Sequence, residues 1–139
     1  MHSEIQRMGF GVIADADEYA EFFTHSDRFL IVDLKRRKEV ILREYRPNPY
    51  VAICKEKYGR KELEFFKNDK EEQEIYRQIA EIVKDCKYVT GKNFGYFVKM
   101  ALEKAGTESM LSNFENPQEW IDSLIENRAY AGYRDWNGL

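Results

Sequence analysis

Cysteine and histidine are scarce in this chain of 139 residues, with two of each, and proline occurs only three times. Cys54 and Cys86 lie far apart, without the close spacing of a zinc or dithiol motif. A cluster held by four thiolates of one chain is therefore excluded, and both thiols are expected to be reduced. No apolar run approaches the roughly 18 residues that a bilayer-spanning helix needs. The polar start Met1-His2-Ser3-Glu4 does not resemble a secretory leader, so the expectation is a cytoplasmic protein that makes no membrane contact. Net charge is only −3, too small and of the wrong sign for a general nucleic-acid footprint. The run Lys35-Arg36-Arg37-Lys38 is local and reads as a solvated hairpin turn. Neither Gly-Lys-Ser/Thr nor Gly-x-Gly-x-x-Gly occurs, which removes the common nucleotide motifs. Repeats and low-complexity segments are absent too.

What remains is a chain with 43% hydrophobic and 34% charged residues, suited to one domain over residues 1–139 with a core of its own. Gln6 to Ile13 alternates, with Met8, Phe10 and Val12 on one face of a strand. Asp15 is expected to cap a short helix ending near Thr24, with Glu18 in a capping-box position and Tyr19, Phe22 and Phe23 on its apolar side. Arg28 to Leu34 and Glu39 to Tyr45 form a hairpin that Pro47-Asn48-Pro49 ends. Residues 50–68 carry a mixed signal, in which Val51-Ala52-Ile53-Cys54 is a short strand or a buried loop. Glu71 to Lys84 repeats apolar residues at helical spacing through Ile75, Ile79, Ile82 and Val83. Lys87 to Thr90 is a strand and Gly91-Lys92 a tight connection. Asn93 is expected to cap a helix that buries Phe94, Phe97, Val98, Ala101 and Leu102, with Gly106 as its C-terminal cap. Glu108 to Leu111 is the last strand. Asn116-Pro117-Gln118-Glu119 opens a final helix carrying Trp120, Ile121, Leu124 and Ile125. Strands alternating with helices, plus one hairpin, predict an α/β three-layer sandwich around a mixed sheet.

His25 sits in a polar elbow just before a strand, where neutral imidazole can bind iron; the plainer reading is a histidine at a helix end. His2 belongs to the terminus and carries little information. Cys54, beside Lys55 and Lys57, is the better thiolate candidate, although such a cysteine usually serves as a small buried hydrophobe. Cys86 is expected in the core. Thr90-Gly91-Lys92-Asn93 follows a parallel strand and opens a helix, so backbone amides and Lys92 can converge on an anion there. Asp15, Asp17 and Asp33 near strand ends carry a weaker alternative, a magnesium nuclease, which needs clustered carboxylates. Tyr130, Tyr133 and Trp136 make Arg128 to Leu139 aromatic enough to pack on the domain or on a second subunit.

Three blocks carry a family resemblance. In Glu21 to Leu34, Phe23, His25 and Ser26 precede the apolar strand Phe29-Leu30-Ile31-Val32-Asp33-Leu34. Asn48-Pro49 follows the hairpin. From Ile82 to Gly106 run Asp85-Cys86-Lys87-Tyr88-Val89-Thr90-Gly91, then Gly95 and Ala105-Gly106. In order and spacing these blocks resemble the dinitrogenase iron-molybdenum cofactor biosynthesis family, which includes NifX, NafY and the C-terminal part of NifB. Phe22 stands at the family's leading histidine and Thr24 at its glycine, and the turn from Thr90 to Gly95 is poorer in glycine. The resemblance implies a ribonuclease-H-like fold with a mostly parallel sheet and no catalysis. It also implies transient binding of an iron-sulfur or iron-molybdenum cluster precursor, passed between a donor and an acceptor protein. The residues expected to serve are His25, Ser26, Thr90, Gly91, Lys92 and Asn93, with His25 and Cys54 as metal donors; a homodimer is a further expectation. The alternative on the same fold is a non-catalytic interaction or regulatory module that has lost the cluster, which the departures at Phe22 and the glycine-poor turn favour.

Overall fold

Alternation in the first strand decides the layout of the whole sheet. In the computed structural model, which describes residues 4–58 and 70–126, β1 (Ile5–Val12) occupies the centre of five strands. It runs antiparallel to β2 (Arg28–Lys35), which pairs with β3 (Glu39–Pro47) at one edge. On its other side it runs parallel to β4 (Tyr88–Gly91), followed by β5 (Glu108–Leu111). The order is β3-β2-β1-β4-β5, and β2 alone runs against the other four strands.

Helices cover both faces. A single α turn, α1 (Val51–Ile53), widens into a π turn over Cys54–Tyr58, where the sequence left a strand or loop open. With α2 (Lys70–Ile82) and α3 (Tyr96–Lys104) it covers one face, over Phe29, Ile31 and Val89. α4 (Pro117–Ile125) covers the other, where Trp120 and Ile121 pack on Met8, Phe10, Leu30, Val32 and Tyr88. Asn116 caps α4 as its sequence predicts: its side chain accepts from the Glu119 amide at 3.0 Å, and the Glu119 carboxylate accepts from the Glu115 amide at 2.8 Å. Gly106, at φ 89°, closes α3.

Two expectations are corrected. No α-helix forms between Asp15 and Thr24; the chain makes a bridge from Tyr19 to Val12 and then a short 3₁₀ turn over Phe23–His25. The apolar residues of that segment go to different places, Tyr19 to the α4 side and Phe23 to the α2–α3 side, so one helical stripe could not serve them. Asn93 does not cap α3, because Gly95, at φ 57°, starts the helix later and no side chain caps it. His2 and Arg128 to Leu139 lie outside the described residues, as do residues 59–69. Among the described residues no helix is long and apolar enough to cross a membrane.

At the hairpin tip Arg36 and Arg37 adopt φ of 55° and 59°, a turn that Asn-Gly ordinarily supplies. Arg36 is held there by Glu4, which accepts from the Arg36 amide at 2.6 Å through its carbonyl and from the guanidinium at 3.0 Å through its side chain.

An ion network fastens α2 to the sheet. Arg7 on β1 donates twice to Asp33 on β2, at 2.8 and 2.9 Å, and once to Asp85 at 2.7 Å. Arg46 on β3 donates to Asp85 at 2.7 and 2.9 Å and to the carbonyl of Ile82, the last residue of α2, at 2.7 Å. Hydrogen bonds from Arg46, then from Arg7, hold the Asp85 carboxyl well below the usual carboxylate range against the opposing effect of burial. A depressed carboxyl stabilises the fold above its unfolded value of about 3.9 and loses that contribution as pH falls below it. Urea unfolding is therefore expected to show a midpoint that drops between pH 5 and pH 3, with Asp85→Asn reducing the drop. At pH 7 the same substitution should cost about 1 kcal/mol, a modest figure because the carboxylate is partly solvated.

Candidate functional site

Three connections meet at the carboxyl ends of the parallel strands β1, β4 and β5, the usual location of a binding crevice in an α/β sheet. Phe23, which is buried, stacks on Phe94 with ring centres 4.9 Å apart and lies 5.1 Å from Phe29. Its amide donates to the carbonyl of Asn93 at 2.8 Å, and the Asn93 side chain donates to the carbonyl of Glu21 at 3.1 Å. The elbow after β1 and the connection after β4 are thus stitched together across 70 residues of sequence. The third connection joins through Lys92, whose ammonium lies 3.8 Å from Glu115, and through the Ser112 amide, which donates to Gly91 at 2.9 Å.

The elbow can lie so close to the sheet because β1 has no side chain beneath it. A Cβ on Gly11 would collide with Ser26 Oγ and approach Phe23 within 3.0 Å. Ser26 itself is sealed inside, donating to the Phe23 carbonyl at 2.7 Å. Asn48 then locks the turn from the β3 side. Its side chain donates to the carbonyls of Ser26 at 2.8 Å and Thr24 at 3.3 Å, and accepts from the Tyr50 amide at 3.1 Å.

His25 comes last in this turn, half-buried, with its ring edge-on to Phe22 at 5.1 Å. The π turn packs against the 3₁₀ turn and brings the charge of Lys55 near. Desolvation first, and then Lys55, lower the His25 pKa, outweighing the opposing pull of Glu21. The imidazole is therefore neutral at physiological pH, the form that offers a lone pair to a metal.

The remaining sequence-picked residues separate into an outer and an inner set. Lys92 and Asn93 are exposed at the mouth of the crevice. Thr90 and Gly91 are buried, and the Thr90 hydroxyl shares a 2.8 Å hydrogen bond with Tyr19. Burial raises the Tyr19 phenol to about 12, so this hydroxyl pair stays neutral. Cys54 is fully buried in the core cluster that also holds Phe23. Cys86 lies apart, near Gly9, and burial pushes its thiol up to about 12. Among the described residues no group of three or more His, Cys, Asp or Glu side chains could hold a metal ion. The aspartates of the nuclease alternative are dispersed: Asp33 pairs with Arg7, while Asp17 accepts from Tyr45 at 2.6 Å and from Arg28 and Arg43 at 3.4 Å.

Asn48 as a positioning residue, Phe23 as the anchor and Lys55 as a neighbour of His25 are not apparent from spacing. Asn48 shows in the sequence only as part of the Asn48-Pro49 block, and Lys55 has no local signal because a π turn delivers it.

No protein-family model matches the sequence, and no curated protein matches it. Solved structures do share its fold. The protein PH0822 superposes with a TM-score of 0.62 at 15% identity, over 87% of this chain and 91% of that one. A protein from Thermotoga described as NifB-like and of the DUF35 family gives 0.57 at 17% identity, over 88% and 90%. A dinitrogenase-like protein from Methanococcus jannaschii gives 0.52 at 16% identity, over 88% and 91%. Coverage this complete at identities this low shows a common fold.

Two outcomes follow from this geometry. Asn48→Ala, which strands buried carbonyls of Thr24 and Ser26, should lower unfolding free energy by about 2–3 kcal/mol in urea titration. In an NMR titration His25 should protonate below the ordinary 6.5, and Lys55→Gln should move its midpoint upward. Because the unfolded chain takes the proton first, this histidine makes stability fall as pH drops from about 6.5 toward the folded midpoint.

Proposed function

We propose that this protein binds an iron-sulfur or iron-molybdenum cluster precursor as cargo and passes it between a donor and an acceptor protein, with no catalysis of its own. The observation that carries this reading is the junction of the His25 turn with the Lys92-Asn93 connection, with a neutral imidazole on that turn. Neighbours described as NifB-like and dinitrogenase-like support a nitrogenase-related role, and the strand order with β2 alone reversed supports a ribonuclease-H-like fold.

The donor set favours cargo over a resident cluster. His25 is half-buried with its Nε2 covered, and Cys54 is fully buried, so a thiolate from Cys54 would require the core to open. A cluster held by one imidazole, with the exposed Lys92 near its anionic edge, keeps its other ligands and can leave again. The closed interior at Ser26, Thr90 and Gly91 is the observation behind the second reading, an interaction or regulatory module that has lost the cargo.

Anaerobic titration of the purified chain with a synthetic [4Fe-4S] cluster separates the two, followed by visible absorbance and iron counting. Carriage predicts saturable iron-dependent absorbance that falls at least about tenfold in affinity in His25→Ala, the loss of one good ligand interaction. Equal iron uptake by wild type and variant would reject it in favour of the interaction module.

A further inference from the structure

α2 and α3 pack side by side on one face of the sheet and leave a groove of about 840 Å³ between them. Tyr96 is 49% exposed and Met100 37%, and both line it. They are two of the six large apolar side chains left exposed among the described residues. On the α2 wall stand Lys70, Glu74, Arg77 and Glu81. Their spacing of four, three and four residues keeps them on one stripe of the helix.

The order of those charges is its own complement. Laid antiparallel against a second α2, the stripe sets Lys70 opposite Glu81 and Glu74 opposite Arg77, each pair occurring twice. A two-fold axis running across both helices reverses α2 against α2 and α3 against α3, so every contact is reciprocal, as an isologous dimer requires. Glu74 and Arg77 already bond within the helix at 2.6 Å, but both side chains are more than half exposed and free to share those bonds across an interface. Like charges along the stripe, or an order that reads the same in both directions, would oppose antiparallel self-pairing.

We infer that this face is a homodimer interface, in which the α2–α3 groove of one copy takes that of a second copy, with the charge stripe setting an antiparallel register. The apolar side chains supply the attraction and the solvated ion pairs choose the partner and the register. Association is weak and depends on concentration, because one two-helix face is a small interface. None of the residues of the His25 crevice takes part, so the dimer stands or falls separately from the cargo reading.

Sedimentation velocity on the full chain, over a wide concentration range, tests this. Wild type is expected to move from monomer to dimer. Arg77→Glu, which places four carboxylates together, and Met100→Glu should each weaken association at least about tenfold. The double reversal Glu74→Arg with Arg77→Glu restores complementarity and should restore the dimer. Unchanged thermal melting shows that these exposed substitutions leave the fold intact. A chain monomeric at every concentration, or a dimer indifferent to Arg77→Glu and Met100→Glu, overturns the interface. A dimer broken by the single reversal but not restored by the double one overturns the antiparallel register.

Discussion

The space left by Gly11 on the central strand controls everything at the crevice. Without that gap Ser26 could not sink against β1, the Phe23 ring could not reach Phe94, and the turn that ends at His25 would stand off the sheet. The gap is useful only because the turn is then fastened from three directions: by Asn93 from the β4 side, by Asn48 from the β3 side and by its own Ser26 hydroxyl from within. A loop with so many buried carbonyls satisfied by specific donors has one conformation rather than many. His25 therefore extends from a rigid base, and the flexibility of the site is confined to exposed side chains such as Lys92.

The opposite end of the molecule works by charge instead of by shape. Arg7 and Arg46 each bridge two acidic groups, and Arg46 also satisfies a carbonyl at the C-terminus of α2, where a cation is electrostatically favoured. The network ties β1, β2 and β3 to α2, the longest helix among the described residues, so the sheet is fastened at one end by ions and closed at the other by packed aromatic rings. At the crevice end the ion pair between connections among the described residues, Lys92 to Glu115, is long and exposed, and either partner is available to a ligand.

Local signals in the sequence were faithful wherever a single element supplied both cause and effect. The alternation of Met8, Phe10 and Val12, the helical spacing of Ile75 and Ile79, and the Asn116 cap with its returning Glu119 all appear in the structure as read. The reading failed where neighbouring residues serve different layers. Tyr19, Phe22 and Phe23 have the composition of a helix face, yet they go to the α4 side, to His25 and to the α2–α3 side, and composition carries no direction. Residue type alone marks Asn93 as a cap, whereas Gly95 starts α3 because it tolerates a positive φ. The candidate site was legible as two separate blocks. Their meeting was not, since it depends on parallel pairing of β1 with β4 and on Asn48 reaching across from the hairpin.

The bond between the Phe23 amide and the Asn93 carbonyl also sets the order of events in the life of a newly made chain. Parallel pairing across most of the polypeptide is slow compared with closing a hairpin, because the intervening loop must give up its freedom before any contact forms. The β2–β3 hairpin can exist early, but the floor of the crevice cannot exist until β4 has been added beside β1. A nascent or partly folded chain thus has a histidine but no site. Occupancy of the crevice would report that folding is complete, and a bound occupant would hold the two halves of the sheet together by mass action.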